Sequence, residues 1–429
     1  MACRLLEGVL ARGHSFEQAL READASARKL PPSDRAFAVA IALATLRRLG
    51  EIDALLDIYL RKEPPAHVRD ILRAGIAQLL FLKTPAHAVV HVAVEQVAGN
   101  AKTKPLRSLV NAVLRNCIRE GESHLGGLDS PICNVPAPLL KSWRQAYGIE
   151  RTGKIAAAHC SEPPLDLQFR NRDEGKLWCK KFAGISLPAG AVRLRESRNI
   201  PELEGYAQGA WWVQDVAASL PVRLLGDVSG KRVIELCAAP GGKSAQLCAS
   251  GAKVVAVDRS AARLDVLRDN LKRLQLRADE IIEADVLAWE PQAPAHFVLL
   301  DAPCSATGTL RRHPDVVRRK GREWEPGGKY LARLAALQEK LLARAGGMVE
   351  PGGVLVYSVC SLQKEESEER VEAFLREHPD FTRETVDADC LDGLEECVSH
   401  EGDLRTLPCH LEAFGGMDGF YAARLRRRG

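Results

Sequence analysis

The sequence predicts a multidomain protein: an all-α N-terminal domain, a small α/β extension, and an α/β domain built on a parallel, doubly wound sheet. Three observations predict this architecture. The chain has 429 residues, more than one hydrophobic core usually organises. Apolar residues recur at helical spacing up to about residue 120. From about residue 216, short apolar runs alternate with longer helical stretches, which is typical of parallel sheets with crossover helices.

The N-terminal domain is predicted over residues 1–125. Apolar side chains follow the helical period in FAVAIALATL at 37–46 and in ILRAGIAQLL at 71–80, and the Pro64-Pro65 pair breaks the pattern between helices. We therefore expect a compact helical bundle. The stretch GESHLGGLDSPICN at 121–134 has the composition of a loop and predicts a domain boundary.

The remaining chain is divided into two parts. A linker and small α/β extension are predicted over 126–215, from strand-like alternation in LDLQFR at 165–170. The doubly wound domain is predicted over 216–429, with strands at 232–236, 253–257, 280–282, 297–300 and 353–357. The charged segment KEESEER at 364–370 is interpreted as the solvated start of a helix.

Composition and charge exclude several classes of protein. Nearly half the residues are hydrophobic, which excludes a disordered chain, and the net charge of +4 allows a polyanionic partner without implying one. No stretch reaches the roughly 18 to 20 apolar residues of a membrane helix, so we expect a cytoplasmic protein without a membrane partner. The twelve cysteines form no C-x-x-C pair, so we expect reduced thiols and no metal site.

A small-residue loop in ELCAAPGGKS at 235–244 joins a predicted strand to a helix. A backbone with so little side-chain bulk can approach a nucleotide-type ligand at the carboxyl edge of the sheet. The spacing matches neither the dinucleotide fingerprint nor the phosphate-binding loop, which disfavours a pyrophosphate ligand. Asp258 ends the next strand and can accept hydrogen bonds from ribose hydroxyls, and Asp285, after the third strand, can reach an adenine. The alternative for each aspartate is a helix cap.

Two cysteines follow predicted strands at the same edge. Cys304 lies in DAPCS at 301–305 and Cys360 in YSVCS at 357–361. A single cysteine at a strand end is usually an inert, buried side chain. Two of them beside one ligand loop favour a chemical role.

Four motifs stand in order along the chain: CAAPGGK at 237–243, LLDAPCSATGTLRRHPD at 299–315, PGGVLVYSVCS at 351–361 and DGFYAARL at 418–425. Together they resemble the RsmB-type (Sun/Fmu) 16S ribosomal-RNA cytosine-5 methyltransferases of the Nol1/Nop2/Sun family. The resemblance covers essentially the whole chain. It implies a NusB-like RNA-binding N-terminal domain, an RNA-recognition-like extension and a Rossmann-like class I methyltransferase domain.

The resemblance also implies S-adenosylmethionine as the cofactor and 5-methylcytosine in RNA as the product. It assigns cofactor binding to the loop and to three aspartates, namely Cys237, Ala238, Ala239, Pro240, Gly241, Gly242, Lys243, Asp258, Asp285 and Asp301.

The catalytic roles follow from the same resemblance: Cys360 is the nucleophile, Cys304 acts in product release and Asp301 supports the base. A thiolate suits this reaction because carbon 5 of cytosine becomes nucleophilic only after addition at carbon 6. DNA cytosine methyltransferases instead use the cysteine of a Pro-Cys pair, which would select Cys304. The chemistry of the residues alone leaves both assignments open.

Two neighbouring groups complete the predicted chemistry. Asp301 can donate a hydrogen bond or proton to cytosine nitrogen 3. A free thiol has a pKa of about 8.5, so a cation should acidify the nucleophile, and Lys243 is the nearest such residue in sequence. Val359 stands where the family usually has threonine, so that hydroxyl is absent here.

The resemblance implies 16S ribosomal RNA as the substrate. Arg311, Arg312 and His313 could hold phosphates close to where a target base would enter, with the run 318–320 beyond them. The target cytosine must be unpaired or flipped, which favours unassembled or partly assembled 16S ribosomal RNA. A monomer suffices for this reaction. The alternatives are a cytosine-5 methyltransferase of transfer RNA, another RNA or DNA, and a non-catalytic RNA-binding protein.

Overall fold

The computed structural model describes residues 1–429 except 27–29, 197–198, 320–323 and 325–328. The chain forms two compact units. The helical unit comprises residues 1–162 and 310–328, and the sheet unit comprises residues 163–309 and 329–429. These bounds differ from the predicted ones, because residues 126–162 and an insertion after residue 309 belong to the helical unit.

The helical unit is built from amphipathic helices that bury their apolar faces against one another. Its helices up to residue 162 are α1 (Ala2–Leu10), α2 (Phe16–Ser26), α3 (Pro32–Arg47), α4 (Leu49–Tyr59), α5 (Ala66–Ile76), α6 (Ala86–Ala98), α7 (Arg107–Gly126), α8 (Ala137–Tyr147) and α9 (Ile149–Cys160). The centre of the core includes Ile52, Leu56, Leu72 and Leu114, none of which is accessible to solvent. The predicted helical domain is therefore confirmed.

The loop predicted from residue 121 is wrong at its start, because α7 continues to Gly126. Gly121 lies inside that helix, where an added Cβ would be 3.0 Å from Cys117 Sγ and 3.2 Å from a methyl of Leu80. This glycine allows close packing in the helical unit and does not mark a turn.

The inserted segment 310–328 contains the short helix α14 (Asp315–Arg319). Hydrogen bonds join it to the rest of the helical unit. The Phe16 N–H donates to Asp315 Oδ2 at 3.2 Å, and Arg318 donates to the carbonyl of Asn134 at 2.8 Å. Arg47 donates to the carbonyl of Arg311 at 2.7 Å. The segment thus belongs to the helical unit although its flanking residues belong to the sheet unit.

The sheet unit contains two sheets. The strands are β1 (Asp166–Gln168), β2 (Ile185–Ser186), β3 (Val192–Arg193), β4 (Trp212–Val213), β5 (Arg232–Leu236), β6 (Lys253–Asp258), β7 (Glu280–Glu283), β8 (Ala295–Asp301), β9 (Val349–Val359), β10 (Phe381–Glu384), β11 (Leu404–Arg405) and β12 (Tyr421–Arg427). The helices are α10 (Arg172–Lys181), α11 (Val216–Arg223), α12 (Gly242–Ala249), α13 (Ala261–Arg273), α15 (Lys329–Gly347) and α16 (Glu368–Glu377).

The smaller sheet is antiparallel, in the order β2-β3-β1-β4, and forms the predicted extension. The larger sheet has the order β10-β12-β9-β8-β5-β6-β7, with β11 paired to β12. Strands β5 to β9 are parallel, whereas β12 and β10 run antiparallel to β9 and β12 respectively. The predicted parallel sheet is confirmed, and apolar clusters cover both of its faces.

The sheet positions the candidate site through the carboxyl ends of its parallel strands. Those of β5, β6, β8 and β9 meet at one edge, since β8 pairs with both β5 and β9 and β5 pairs with β6. In this register Asp301 is opposite Ser358. The loops that follow these strands carry the predicted cofactor loop and both cysteines.

Candidate active site

The loop after β5 has the tight backbone that its small residues predict. Cys237 has a φ of 60° and Gly241 a φ of 101°, and α12 begins directly afterwards at Gly242. A Cβ on Gly241 would lie 2.7 Å from Leu267 Cγ. Glycine is therefore required at this position both by the positive φ and by the close approach of α13.

Asp258 fixes this loop to the end of β6. Its carboxylate accepts the N–H of Ala239 at 3.1 Å and that of Ser260 at 3.0 Å, and the side chain is 3% exposed. Asp285, which is exposed, accepts the N–H of Leu287 at 3.0 Å. Both aspartates make local turn contacts, whereas Ser260 caps α13 in place of Asp258. Contacts of the two aspartates to a cofactor stay a prediction.

Lys243 and Asp301 form an ion pair at the same edge, with 2.7 Å between Nζ and Oδ2. Asp301 also accepts a hydrogen bond from Ser358 Oγ at 3.0 Å, and its side chain is 32% exposed. The Lys243 ammonium lies 5.1 Å from the centre of the Phe420 ring. The observed ionic partner of Lys243 is thus a carboxylate, and its predicted acidification of a thiol stays a prediction.

These residues fit the nucleoside of S-adenosylmethionine. Asp258 offers acceptor oxygens for ribose hydroxyls next to a loop whose backbone can be approached closely. The cation of the loop, Lys243, is already neutralised by Asp301, so it is not left to bind a phosphate. The donor set therefore suits a ligand without phosphates.

The two thiols are in contact. Cys304 Sγ and Cys360 Sγ lie 3.4 Å apart, and both residues are half-buried. The contact with Cys360, together with burial, raises the pKa of the Cys304 thiol well above its ordinary value. Cys304 therefore holds its proton more tightly than a free thiol does.

A buried carboxylate connects the two cysteine loops. Glu366 is not accessible to solvent, and it accepts hydrogen bonds from the N–H of Ser305 at 2.9 Å, from both the Ser305 and Ser361 hydroxyls, and from Gln338 Nε2 at 3.0 Å. Ser305 follows Cys304 and Ser361 follows Cys360. Gln338 also donates to the carbonyl of Pro303 at 3.0 Å. One carboxylate thus fixes the residues next to both thiols.

The sequence interpretation of 364–370 as a solvated helix start is wrong at its centre. Glu366, Ser367 and Glu368 are all buried. Glu368 pairs with Arg405 at 2.7 Å, and the hydrogen bonds of Glu366 replace the water it loses. One sequence signal could have indicated a buried carboxylate here. A serine follows each of the two cysteines, and two neighbouring hydroxyls can donate to one common acceptor.

The predicted RNA-binding residues lie in the helical unit. Arg311 is 1% exposed, so its guanidinium is not at a surface where a phosphate could reach it, contrary to expectation. Arg312 is half-buried and His313 is exposed. Arg318 donates to the carbonyls of Leu46 and Asn134. Lys320 lies outside the described residues, and phosphate contacts of Arg312 and His313 stay predictions.

The described part of the chain shows neither a metal-binding cluster nor a membrane-spanning helix. There, no group of three or more His, Cys, Asp and Glu side chains could hold a metal ion. In the same residues, no helix combines the length and the apolar character needed to cross a bilayer.

Comparison with known proteins places the chain in a family. A family model described as 16S rRNA methyltransferase RsmB/F matches residues 222–426, and the NusB family model matches residues 1–119. Ribosomal RNA small subunit methyltransferase B of Pseudomonas putida is 35% identical over 442 residues, covering 99% of this chain and 97% of that protein. The chain belongs to this methyltransferase family. The protein of the same name from Vibrio cholerae is 34% identical and covers 88% of this chain and 89% of its own length.

The fold of this chain is also similar to the folds of solved structures. The crystal structure of PH0851 covers 99% of this chain and 98% of its own, with a TM-score of 0.74 and 21% identity. A methyltransferase homologue from Pyrococcus horikoshii covers 67% of this chain and 93% of its own, with a TM-score of 0.53 and 24% identity. The family resemblance inferred from the four sequence motifs is thereby confirmed.

Proposed function

We propose that this protein transfers a methyl group from S-adenosylmethionine to carbon 5 of a cytosine in 16S ribosomal RNA, through a covalent adduct between Cys360 and carbon 6. The observation that carries the proposal is the contact of two thiols beside the cofactor loop and an Asp–Lys pair. The full-length relatives named ribosomal RNA small subunit methyltransferase B support the substrate. The protein then acts in the cytoplasm, as a monomer, on RNA that is unassembled or partly assembled.

The cofactor would be held by the loop 237–243 together with Asp258, Asp285 and Asp301. When bound, S-adenosylmethionine supplies an electrophilic methyl group. Asp258 would accept hydrogen bonds from the ribose, and it keeps the loop in place by accepting the Ala239 N–H. Asp285, exposed two residues after β7, would contact the adenine.

The first covalent step is the addition of the Cys360 thiolate to carbon 6. The new S–C6 bond pushes electron density toward carbon 5, and a proton delivered to nitrogen 3 from the Asp301–Lys243 pair neutralises the ring. Ser358 donates to Oδ1 of Asp301 and Lys243 donates to Oδ2, so the orientation of the carboxyl group is fixed. The raised pKa of the Cys304 thiol favours its protonated form, whose S–H is within reach of the Cys360 sulfur.

Product release reverses the addition. Once carbon 5 carries the methyl group, a base removes the carbon 5 proton, and the electrons of that C–H bond form the C5–C6 double bond while the S–C6 electrons return to sulfur. Nitrogen 3 returns its proton to the Asp301–Lys243 pair, and the aromatic ring is restored. The leaving group is the Cys360 thiolate, which the neighbouring S–H of Cys304 stabilises over 3.4 Å. This assigns Cys304 to release without making it the nucleophile.

The test is methylation of unmethylated small-subunit ribosomal RNA with radiolabelled S-adenosylmethionine. Wild type should form 5-methylcytosine, Cys360→Ala should neither methylate nor crosslink, and Cys304→Ala should accumulate a covalent RNA–protein band. Cys248→Ala, a half-buried cysteine of α12, is the matched control and should behave as wild type.

Three outcomes would contradict the proposal. Adduct formation by Cys360→Ala together with its loss in Cys304→Ala would reverse the two roles. Methylation of transfer RNA or DNA instead of 16S ribosomal RNA would replace the substrate. RNA binding by wild type without methylation of any of these would favour the non-catalytic binding protein.

A further inference from the structure

A cavity of about 320 Å³ lies in the sheet unit, away from the two thiols. The chain after β1 forms one wall, and residues of α11 and α12 contribute to the others. Three arginines line it, Arg170, Arg172 and Arg223. Among the described residues that line the cavity there is no aspartate or glutamate. The cavity is therefore strongly cationic.

The observed partners of these guanidiniums compensate their charge poorly. Arg170 donates to the carbonyl of Leu274, and Arg223 donates to the carbonyl of Cys390 at 2.7 Å. Carbonyl groups accept hydrogen bonds but carry no net charge. Arg172 pairs with Asp392 at 3.0 Å, so one carboxylate stands against three cations.

Burial affects Arg223 in a way that fits this imbalance. Removal from water lowers the pKa of its guanidinium, Asp392 opposes that effect, and repulsion from Arg172 adds to it. The charged form of Arg223 is thus held in unfavourable surroundings. An anion in the cavity would relieve them.

A buried amide points to the same kind of ligand. Gln168 lines the cavity and is only 6% exposed, and its Nε2 has no hydrogen-bond partner among the described residues. A buried N–H donor without an acceptor costs free energy, which a ligand oxygen would recover. An anionic ligand with several acceptor oxygens satisfies both this donor and the guanidiniums.

We propose that this cavity binds a phosphate group of the RNA strand that is methylated. Arginine guanidiniums and an amide N–H are the donors that phosphate oxygens prefer. Gln246 and Ala249 of α12 form part of the wall, so the cavity lies at the end of α12 that is opposite the cofactor loop. The inference rests on the proposed RNA substrate.

The test compares Arg223→Gln and Arg172→Gln with Arg195→Gln. Arg195 is an exposed arginine of the same extension, and it is not among the lining residues. The Arg172 side chain is 58% exposed, so we expect Arg172→Gln to fold. This variant keeps the test valid if Arg223→Gln does not fold. Gln168→Leu removes the unpaired donor at similar volume.

Affinity for an unmethylated small-subunit RNA transcript is measured as a function of salt. Each cavity variant should bind about fivefold more weakly. Its plot of log affinity against log salt should be shallower by about 0.7 to 0.9 for each phosphate that the variant no longer neutralises. Arg195→Gln should keep the wild-type affinity within twofold. Equal slopes in all variants would overturn the proposal.

Inorganic phosphate distinguishes the source of the ligand. The melting temperature is compared in phosphate and in chloride at equal ionic strength. A phosphate-dependent rise that the cavity variants lose, combined with unchanged RNA binding, would show a site for free phosphate and overturn the RNA assignment. The melting-temperature comparison does not depend on the RNA chosen. Failure of the wild type to methylate the transcript would therefore contradict the proposed function without bearing on the cavity.

Discussion

Cys304 and Cys360 are 56 positions apart in the sequence, yet their sulfur atoms lie 3.4 Å from each other. The pairing of β8 with β9 brings them together, since Asp301 and Ser358 are register partners at the ends of these strands. Two thiols this close can both reach one cytosine.

The first prediction concerns oxidation of the thiol pair. Diamide should take up two protons and two electrons as an S–S bond forms between Cys304 and Cys360, because the sulfur atoms are already in contact. Methylation should be lost and should return with dithiothreitol, and peptide mass mapping should show the linked peptides. Cys304→Ala should not give this linkage. Inactivation by diamide with both thiols unlinked would contradict the prediction.

The second prediction concerns Glu366. Replacing it in Glu366→Gln puts an amide N–H₂ among four donors, so one buried donor or more loses its acceptor, and we expect a loss of about 1 to 3 kcal/mol in stability. The cysteine loops shift with it, so kcat should fall roughly 10-fold or more while the KM for S-adenosylmethionine stays near wild type. Thermal unfolding and steady-state methylation measure the two effects.

The control for Glu366 is Glu372→Gln, an exposed position of α16. Iodoacetamide labelling of Cys304 and Cys360 separates a positioning role from simple destabilisation. Labelling rates of both thiols should change in Glu366→Gln at a temperature where the variant is fully folded. Wild-type rates together with wild-type kcat would show that Glu366 has only a structural role.

The third prediction concerns the ion pair of Lys243 and Asp301. Lys243→Met should lower kcat by about 10²-fold, because the carboxyl loses the cation that orients it and shares its proton. Asp301→Asn should have a similar effect. The double variant should be little worse than either single one, since the two groups act as a unit. Lys253→Met, at an exposed residue of β6, should leave kcat unchanged, and full additivity of the two losses would exclude a joint role.

The fourth prediction concerns Glu235, which is buried in β5 beside the Ser244 hydroxyl. Burial raises its pKa from 4.5 to about 8. Below pH 4.5 the folded and unfolded chains both hold the proton. Between pH 4.5 and 8 only the folded chain holds it, so this group makes the protein less stable as the pH rises through that range.

The measurement is the melting temperature of wild type and Glu235→Gln between pH 4.5 and 8. The variant does not titrate there, so the wild type should lose stability relative to it as the pH rises, with the difference levelling off above about pH 8. A difference that stays constant with pH would show that the carboxyl is already ionised in the folded protein.

Patterns within short stretches of the sequence predict the helices, the strands and the reactive residues that follow them. The helical period of 37–46, the alternation of strands and helices after residue 216, and the small residues at 237–243 each reflect preferences acting within about ten residues. Strands with that order place their following loops at one sheet edge, so the shared location of Cys304 and Cys360 could be predicted. The family followed from the motifs in these loops.

Which polar side chains form hydrogen bonds and ion pairs with one another could be read only from the folded structure. Glu366 belongs to a charged run that its sequence predicts to be solvated. It is buried because donors from the distant Cys304 loop, from α15 and from the nearby Ser361 surround it. Lys243 pairs with Asp301, 58 residues away, rather than with a neighbour in sequence. Arg311 is buried within the helical unit although its motif follows the Cys304 loop. Local patterns fix the period and hydrophobicity of each segment, but partners of buried charges depend on long-range register and packing, which those patterns do not contain.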